Sequence, residues 1–259
     1  MSNKILNYFY WKSHAVYGIY SKRRLFSMVE GIEEILDEYS KQTKSTGTKF
    51  PTLYYAVKLI QKYKPKMLLE SGTGTSTIVL AETLMQLKKS DPSYNPKLIS
   101  MESVPEWHDM AVKLLPEKYK DIVEIRLGER EKFEYAMFRG YCHSNIPLKN
   151  YDFVFLDGPS YNDDKGSSSC LDALKVRLNS NVKKIIGVVD TRVSSVFVMQ
   201  NIFGLNSIRY SNLKRTCSFS LNKIESCPKI NSKSFNYLPL GKVKLNEKKL
   251  LWVEDLEQL

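Results

Sequence analysis

Short apolar runs alternate along the chain with stretches in which apolar residues recur every three or four positions. The short runs lie at residues 67–69, 98–101, 122–127, 153–156 and 185–189. The stretches with helical spacing lie at residues 78–87, 104–115, 131–139, 169–178 and 193–202. Strands that are apolar throughout and alternate with helices are typical of a parallel sheet covered on both faces. The pattern therefore predicts an α/β fold with a doubly wound, mostly parallel sheet.

The residues before this alternation follow a helical pattern only. Apolar positions from 27 to 39 recur at helical spacing, and Ser27 with Glu30 has the sequence of a capping box. A second helix is predicted after Pro51, and it ends before Pro65 because proline cannot continue a helix. Residues 1–50 are therefore predicted to form an N-terminal helical extension.

The end of the chain has a different pattern. Residues 207–210 and 216–221 resemble two strands joined by a short basic turn, which predicts an antiparallel hairpin that closes the sheet. Residues 51–222 would then form the main domain. Residues 223–259 mix lysine, proline and asparagine and are predicted to be a tail that packs on that domain.

Composition limits the class of protein. The chain has 259 residues, of which 42% are hydrophobic, so it can bury a sizeable core. No run of about 18 apolar residues is present, which excludes a membrane-spanning helix. The four cysteines include no CxxC pair, so neither a disulfide scaffold nor a zinc site is expected. No signal peptide is recognised at the N-terminus, and a reducing, cytoplasmic location is the expectation.

The formal net charge of +11 bears on partners. A basic surface can attract nucleic acid or anionic lipid, and residues 175–224 hold nine basic residues and one acid. Only nine of the 39 basic residues are arginine, however, so we favour a compositional origin of the charge. Residues 1–26 combine seven aromatic and five basic residues with no acid. We favour aromatic side chains that pack on the core, with an active-site lid as the second interpretation.

The segment from Lys66 to Thr77, KMLLESGTGTST, suggests a ligand site. An apolar strand ends at Glu70, turns through Gly72 and Gly74, and leads into a helix. Glycines allow a ligand to approach the backbone, and the helix N-terminus offers free N–H groups. A dinucleotide fingerprint would need a third glycine at Thr77, and Glu70 would repel a pyrophosphate but would suit an amino group. A turn without a binding function is the alternative.

These residues, with others at later strand ends, resemble the class I S-adenosylmethionine-dependent methyltransferases, which have a Rossmann-like fold. Glu70-x-Gly72-x-Gly74 resembles their first motif, and Glu102 ends the second strand, where the family binds the ribose. Gly128 and Glu129 follow the third strand, near the usual adenine pocket. The resemblance implies S-adenosylmethionine as cofactor and a set of binding residues: Glu70, Gly72, Thr73, Gly74, Ser76, Glu102, Ser103, Gly128, Glu129, Asp157 and Tyr161.

The ends of the fourth and fifth strands carry the implied chemistry. Asp157 ends the fourth strand in YDFVFLDGPSY, where the family places a catalytic or metal-binding residue. The motifs most resemble O-methyltransferases acting on sugars or polysaccharides and, more distantly, the catechol type. The catechol type binds a divalent cation, which implies Asp157 and Asp190 as ligands of Mg²⁺ or another divalent ion. Thr191 stands where that type has an amide or acid, which leaves a general-base role for Asp157 as the alternative.

The expected function is therefore transfer of a methyl group to a hydroxyl of a sugar, glycan or other small hydroxylated acceptor. Two alternatives stay open. The acceptor could be RNA, held along the basic region 175–224, or the protein could bind S-adenosylmethionine without catalysis. The sequence leaves the oligomeric state undetermined.

Overall fold

A computed structural model describes most of the chain. The described residues are 2–43, 49–159, 162–163, 166–167, 169–190, 192–211 and 216–224. Tyr161 and Thr191, and the tail from residue 225 onward, lie outside the described residues.

Helices and strands alternate over most of the described chain. The α-helices are α1 (Ser2–Met28), α2 (Ile32–Gln42), α3 (Phe50–Tyr63), α4 (Thr75–Ser90), α5 (Pro105–Leu114), α6 (Asp172–Asn179) and α7 (Val193–Phe203). The strands are β1 (Met67–Ser71), β2 (Lys97–Glu102), β3 (Val123–Leu127), β4 (Arg130–Tyr135), β5 (Phe138–His143), β6 (Phe153–Leu156), β7 (Asn162–Asp163), β8 (Gly166–Ser167), β9 (Ser169–Cys170), β10 (Lys184–Val189), β11 (Ile208–Ser211) and β12 (Thr216–Asn222). None of the helices in these ranges combines the length and hydropathy of a membrane-spanning segment.

The main sheet has seven strands in the order β11-β12-β10-β6-β1-β2-β3. Neighbouring strands from β10 to β3 are parallel, whereas β12 is antiparallel to both β10 and β11. The predicted mostly parallel sheet with a C-terminal antiparallel hairpin is thus confirmed. The chain runs outward from β1 through β2 to β3 and then returns to β6 on the other side of β1. This reversal creates a crevice outside the carboxyl ends of β1 and β6, where open α/β sheets bind ligands.

Both faces of the sheet are buried, as the apolar runs predicted. Successive side chains of a strand face opposite sides. Leu68 and Phe153 belong to a core shared with α1, α2, α3 and α4, whereas Leu69 and Val154 belong to a core shared with α6 and α7. Because the residues of α1 and α2 lie in the first core, the extension and the sheet share apolar packing. The division at residues 50 and 222 stays a prediction.

The helix predicted at residues 131–139 is wrong, since this segment forms the antiparallel hairpin β4–β5. Phe133 and Tyr135 alternate with charged residues, and both pack against the apolar cluster around Leu171. Two aromatic side chains two positions apart share a face in a strand but not in a helix. Ala136, at φ 54°, lies in the tight turn between the strands.

The helix predicted from residue 169 begins instead at Asp172. Ser169 and Cys170 form the short strand β9, which pairs in parallel with β5. Backbone pairing with this hairpin therefore delays the start of the helix by three residues.

The N-terminal extension is helical, as predicted, but the break between its first two helices lies after residue 27, where a helix was predicted to begin. One helix runs to Met28, and the next begins at Ile32 after Gly31, which has a left-handed φ of 69°. The capping box predicted at Ser27 is wrong: its hydroxyl donates to the carbonyl of Arg24 at 2.9 Å. The left-handed glycine, rather than Ser27, sets the boundary between the two helices.

The interpretation that the aromatic residues of α1 pack on the core holds only for part of the helix. Phe26 stacks edge-on against Phe50, with ring centroids 6.0 Å apart. Tyr8, Trp11 and Tyr20 are exposed, at 54%, 59% and 48%. Among the side chains of α1 that the structure describes, the fully buried ones are Ser21 and Leu25, in the C-terminal part of the helix.

Candidate functional site

The turn after β1 and the turn after β6 are in direct backbone contact. A Cβ placed on Gly72 would lie 3.2 Å from the carbonyl carbon of Asp157 and from the nitrogen of Gly158. Gly72 also has a φ of 94°, a conformation that side chains other than glycine's disfavour. Glycine is therefore required where the sequence placed the ligand-binding turn, and it brings Glu70 and Asp157 to one edge of the sheet.

Glu70 is a fully buried carboxylate at the end of β1. Its Oε2 accepts hydrogen bonds from Thr77 Oγ1 at 2.7 Å and Ser100 Oγ at 2.6 Å. Its Oε1 has no hydrogen-bond partner among the described residues. Burial raises the pKa of this carboxyl from 4.5 to about 7, although the surrounding hydroxyl groups act in the opposite direction. Within the described part of the chain, the site thus holds a buried carboxyl without a salt-bridge partner. Its buried Oε1 atom accepts no hydrogen bond in this geometry, although the Ser76 hydroxyl also lowers the pKa of the group.

Glu102, at the end of β2, joins two backbone turns. Its Oε2 accepts from the backbone N–H and the hydroxyl of Thr73, at 3.3 and 3.1 Å. Its Oε1 accepts from the backbone N–H groups of Ser103 at 2.7 Å and Val104 at 3.0 Å. All four donors belong to the glycine loop or to the turn before α5. Glu102 therefore holds the loop in place, a role that the sequence did not indicate.

Of the other predicted cofactor residues, some lie at the crevice beside β1 and β6, and others follow β3. Ser76 lies in the first turn of α4 and lines a small pocket together with Asp157 and Asp190. Gly128 follows β3, and a Cβ there would come within 2.5 Å of the Ser144 carbonyl oxygen. The structure brings Glu70, Gly72, Thr73, Gly74, Ser76 and Asp157 to the crevice, with Glu102 and Ser103 beside it. The side chain of Glu129 is exposed to solvent.

Asp157 and Asp190 end the adjacent strands β6 and β10, and two cations lie between them. Lys49 Nζ is bonded to Asp190 Oδ2 and lies 3.5 Å from Asp157 Oδ1. Arg192 Nε lies 3.2 Å from Asp190 Oδ1, and its Nη2 lies 3.6 Å from Asp157 Oδ1. Burial raises the pKa of Asp157 to about 6, and Asp190 adds to the rise while Lys49 and Arg192 oppose it. Burial would lower the pKa of Lys49, but the two carboxylates outweigh it and raise that pKa.

This donor set does not fit the divalent ion implied by the resemblance. Two carboxylates need a counter-charge, and the ammonium and the guanidinium already supply two positive charges. A divalent ion would need the oxygen atoms that Lys49 and Arg192 now contact, and it would be repelled by both cations. Among the described residues, these carboxylates belong to no group of three or more His, Cys, Asp or Glu that could hold a metal. Asp157 and Asp190 therefore lie together at the ends of their strands, with Lys49 and Arg192 near both carboxylates.

Sequence reasoning missed Lys49 and Arg192. Arg192 follows Asp190 by two residues, and its nearness to a strand-end acid was a usable signal. Arg192 is 8% exposed and also donates to the carbonyl oxygens of Asp157 and Pro159. Lys49 carried no signal, because it ends a polar stretch of sequence 18 residues before Met67, the first residue of β1.

A second polar cluster lies behind the glycine loop. His143 and Asp172 are fully buried, and His143 Nδ1 lies 2.6 Å from Asp172 Oδ2. The same carboxylate accepts from Ser71 Oγ at 2.6 Å and from the backbone N–H of His143 at 2.8 Å. The burial of His143 and its contact with Asp172 make it part of the support of Ser71, the residue before Gly72.

Three basic residues of the region 175–224 have partners among the residues that the structure describes. Lys175 is bonded to Glu131, and Arg177 is 3% exposed and donates to the Ser180 carbonyl oxygen. Arg192 is buried in the carboxylate cluster described above. Three of the basic residues counted from the sequence are thus occupied within the protein.

Comparison with known proteins gives likenesses of fold. No family model and no curated protein matches the chain. A structure provisionally described as a caffeoyl-CoA O-methyltransferase from Staphylococcus aureus is 14% identical, with a TM-score of 0.41, covering 74% of this chain and 92% of that one. A precorrin-6y C5,15-methyltransferase from Geobacter metallireducens is 15% identical, with a TM-score of 0.40, covering 68% and 80%. A protein from Listeria monocytogenes, provisionally described as a class I S-adenosylmethionine-dependent methyltransferase, is 16% identical, with a TM-score of 0.41, covering 71% and 61%. Identities this low do not carry the activity or the acceptor of those proteins to this chain.

Proposed function

We propose that the protein is an S-adenosylmethionine-dependent O-methyltransferase that acts on a hydroxyl of a sugar, glycan or other small hydroxylated molecule. The observation that carries the proposal is the meeting of two unusual carboxyls at one edge of the sheet. Glu70 is buried with an unpartnered oxygen beside the glycine loop, and Asp157 has a raised pKa at the next strand end. Perturbed carboxyls that share a crevice are typical of functional sites.

The residues around the loop fit the cofactor. The unpartnered oxygen of Glu70 would accept an N–H of the amino group of S-adenosylmethionine, whose positive charge offsets the cost of burying the carboxylate. A dinucleotide would instead place a pyrophosphate against that charge. Glu102 would bind the ribose hydroxyls, and to do so it must share acceptor positions with the four donors that it now holds. When bound, S-adenosylmethionine supplies an electrophilic methyl group on a positively charged sulfur.

Asp157 is the proposed general base. A neutral hydroxyl is a poor nucleophile, so a group that takes its proton as the new bond forms accelerates the reaction. A carboxyl with a pKa of about 6 is ionised at neutral pH, yet it is more basic than an ordinary aspartate. Its carboxylate is 29% exposed, which leaves it accessible to an acceptor.

The acceptor class separates this proposal from its alternatives. RNA methylation would need a track of free cations, and three of those counted in the basic region are paired or buried. A non-catalytic binding protein would not need the raised pKa of Asp157. The unpaired Glu70 oxygen suits cofactor binding in either case.

The test has two stages. Calorimetry should detect binding of S-adenosylmethionine and of S-adenosylhomocysteine, and none of NAD. A screen with tritium-labelled methyl groups should then place label in glycans or phenols and none in RNA. Binding of NAD without S-adenosylmethionine would refute the cofactor assignment, and label in RNA at physiological salt would favour the RNA alternative.

A further inference from the structure

The pair of carboxylates at the ends of β6 and β10 needs positive charge nearby. Two carboxylates in a partly buried site repel each other unless a cation or a shared proton intervenes. In an enzyme that uses a divalent ion, the ion would meet this need and would also activate the acceptor hydroxyl. Here the donor set does not fit such an ion, so the same two tasks must fall to residues of the chain.

The two cations of the site differ in their burial and in the number of acceptors that they contact. Arg192 is almost fully buried and donates to the backbone carbonyls of Asp157 and Pro159 as well as facing both carboxylates. Lys49 is the residue directly before α3, and its side chain is 50% exposed. An ammonium has three N–H donors, and within the described residues Asp190 and Asp157 account for two of them. Arg192 thus has a structural role, whereas Lys49 has a donor to offer.

We infer that Lys49 holds the position of a divalent cation and binds the acceptor oxygen next to Asp157. This inference rests on the proposed function, because it assigns a role within the same site. The third N–H of the ammonium directs a lone pair of the acceptor, and Asp157 faces the hydroxyl proton. The positive charge also stabilises negative charge that develops on the oxygen. Methyl transfer by this protein therefore requires no divalent metal.

Mn²⁺ alone tests whether Lys49 holds the cation position, since the acceptor is not needed for binding. The amplitude of the free Mn²⁺ signal in electron paramagnetic resonance measures binding to the full-length protein. We expect the wild type to leave the signal unchanged at millimolar Mn²⁺. In Lys49→Met the carboxylates lose one of two counter-charges, and we expect Mn²⁺ affinity to rise at least about tenfold. Adding Asp190→Asn to that variant should remove the gain.

Lys64→Met is the matched control. The Lys64 side chain is 48% exposed and lies 3.4 Å from Asp91, so it resembles Lys49 in exposure and pairing but lies outside the site. It should bind no more Mn²⁺ than the wild type. Lys49→Gln should repeat the result of Lys49→Met if the methionine variant does not fold.

Two outcomes would overturn the inference. Wild-type protein that binds Mn²⁺ and loses it on Asp190→Asn would show that the metal holds the site. Lys49 variants that bind Mn²⁺ no better than Lys64→Met would show that Lys49 does not. S-adenosylhomocysteine calorimetry on the same proteins keeps the proposed function separate: absence of binding in every protein refutes that function and leaves the Mn²⁺ result to be judged by itself.

Discussion

Replacing Glu70 by glutamine should stabilise the protein at alkaline pH while it weakens cofactor binding. The folded state raises the pKa of this carboxyl from 4.5 to about 7, so the folded chain holds a proton that the unfolded chain has lost over that interval. The state that binds more protons loses stability as the pH rises. The penalty is therefore small below pH 4.5, grows up to about pH 7, and is constant above it.

The magnitude follows from the shift. At pH 5 the wild-type penalty is about 1 kcal/mol, and at pH 8 it is about 3 kcal/mol. Glutamine has no such penalty. Its amide NH₂ group, in the position of Oε1, would however be a buried donor with no acceptor among the described residues. That constant cost of about 1–3 kcal/mol cancels when two pH values are compared. The difference in unfolding free energy between Glu70→Gln and wild type should therefore rise by about 2.5 kcal/mol from pH 5 to pH 8.

Urea unfolding followed by circular dichroism at the two pH values measures this difference. Glu82→Gln is the control, because the pKa of Glu82 is lowered, in spite of burial, by bonds from Lys118, Tyr119 and Gln86. Its stabilising charge is present at both pH values, so this variant should lose stability by a similar amount at pH 5 and pH 8. A Glu70→Gln difference that does not change with pH would show that Glu70 ionises normally and would remove the basis of the argument.

Calorimetry supplies the second half of the test. The carboxylate of Glu70 can pair with the amino group of S-adenosylmethionine, and glutamine can form only a neutral hydrogen bond. A charged hydrogen bond contributes about 1.5–3 kcal/mol, so Glu70→Gln should bind the cofactor at least about tenfold more weakly. Unchanged affinity together with the predicted gain in stability would mean that Glu70 is buried beside the loop without contacting the ligand.

Three further changes test other parts of the site. Glu102→Ala should lower the unfolding free energy by about 1–3 kcal/mol, because four donors of the two turns lose their acceptor. It should also weaken S-adenosylmethionine binding at least about tenfold. Glu106→Ala, on the exposed side of the next helix, should change neither quantity. Asp172→Ala should cost about 1–3 kcal/mol in urea unfolding, since it leaves the hydroxyl of Ser71 and the backbone N–H of His143 without an acceptor. Asp109→Ala, whose carboxylate is 80% exposed beside His108, should stay within about 0.5 kcal/mol. Once an acceptor is found, kcat at saturating S-adenosylmethionine should rise with pH through about 6 and then level off, as Asp157 ionises. A kcat that is flat from pH 5 to pH 8 would exclude Asp157 as the base.

The sheet was predictable because burial on both faces leaves a direct trace in the sequence. A parallel strand covered on both faces is mostly apolar, and four such runs became the inner strands β1, β2, β6 and β10. The run that became β3, at the edge of the sheet, also holds the exposed residues Glu124 and Arg126. The hairpin β4–β5 was missed because strand and helix periodicities are hard to distinguish over a segment of nine residues. Strand order depends on contacts between distant segments, and the sequence indicated only that the last two strands pair.

The site was predictable where a residue follows a strand and unpredictable where a side chain arrives from elsewhere. Glu70, Glu102, Asp157 and Asp190 all end or follow parallel strands, whose carboxyl ends meet at one edge. Lys49 belongs to no motif, and its position depends on how α3 packs beneath the sheet. The fourfold bonding of Glu102 was equally hidden, since it needs the relative placement of two turns.

The charge of the site shows why the motif alone did not identify the cation. A pair of aspartates at adjacent strand ends indicates that positive charge must be supplied, but a metal ion, a lysine and an arginine all satisfy that need in the sequence. The structure separates them, because an ammonium and a guanidinium within 3.6 Å of the carboxylates neutralise two negative charges with two positive ones. A divalent ion added to that arrangement would bring two further positive charges into a partly buried space that already holds two cations. If Lys49 holds the cation position as inferred, the choice between metal and lysine depends on the residue before α3, which lies outside every segment that resembles the methyltransferase motifs.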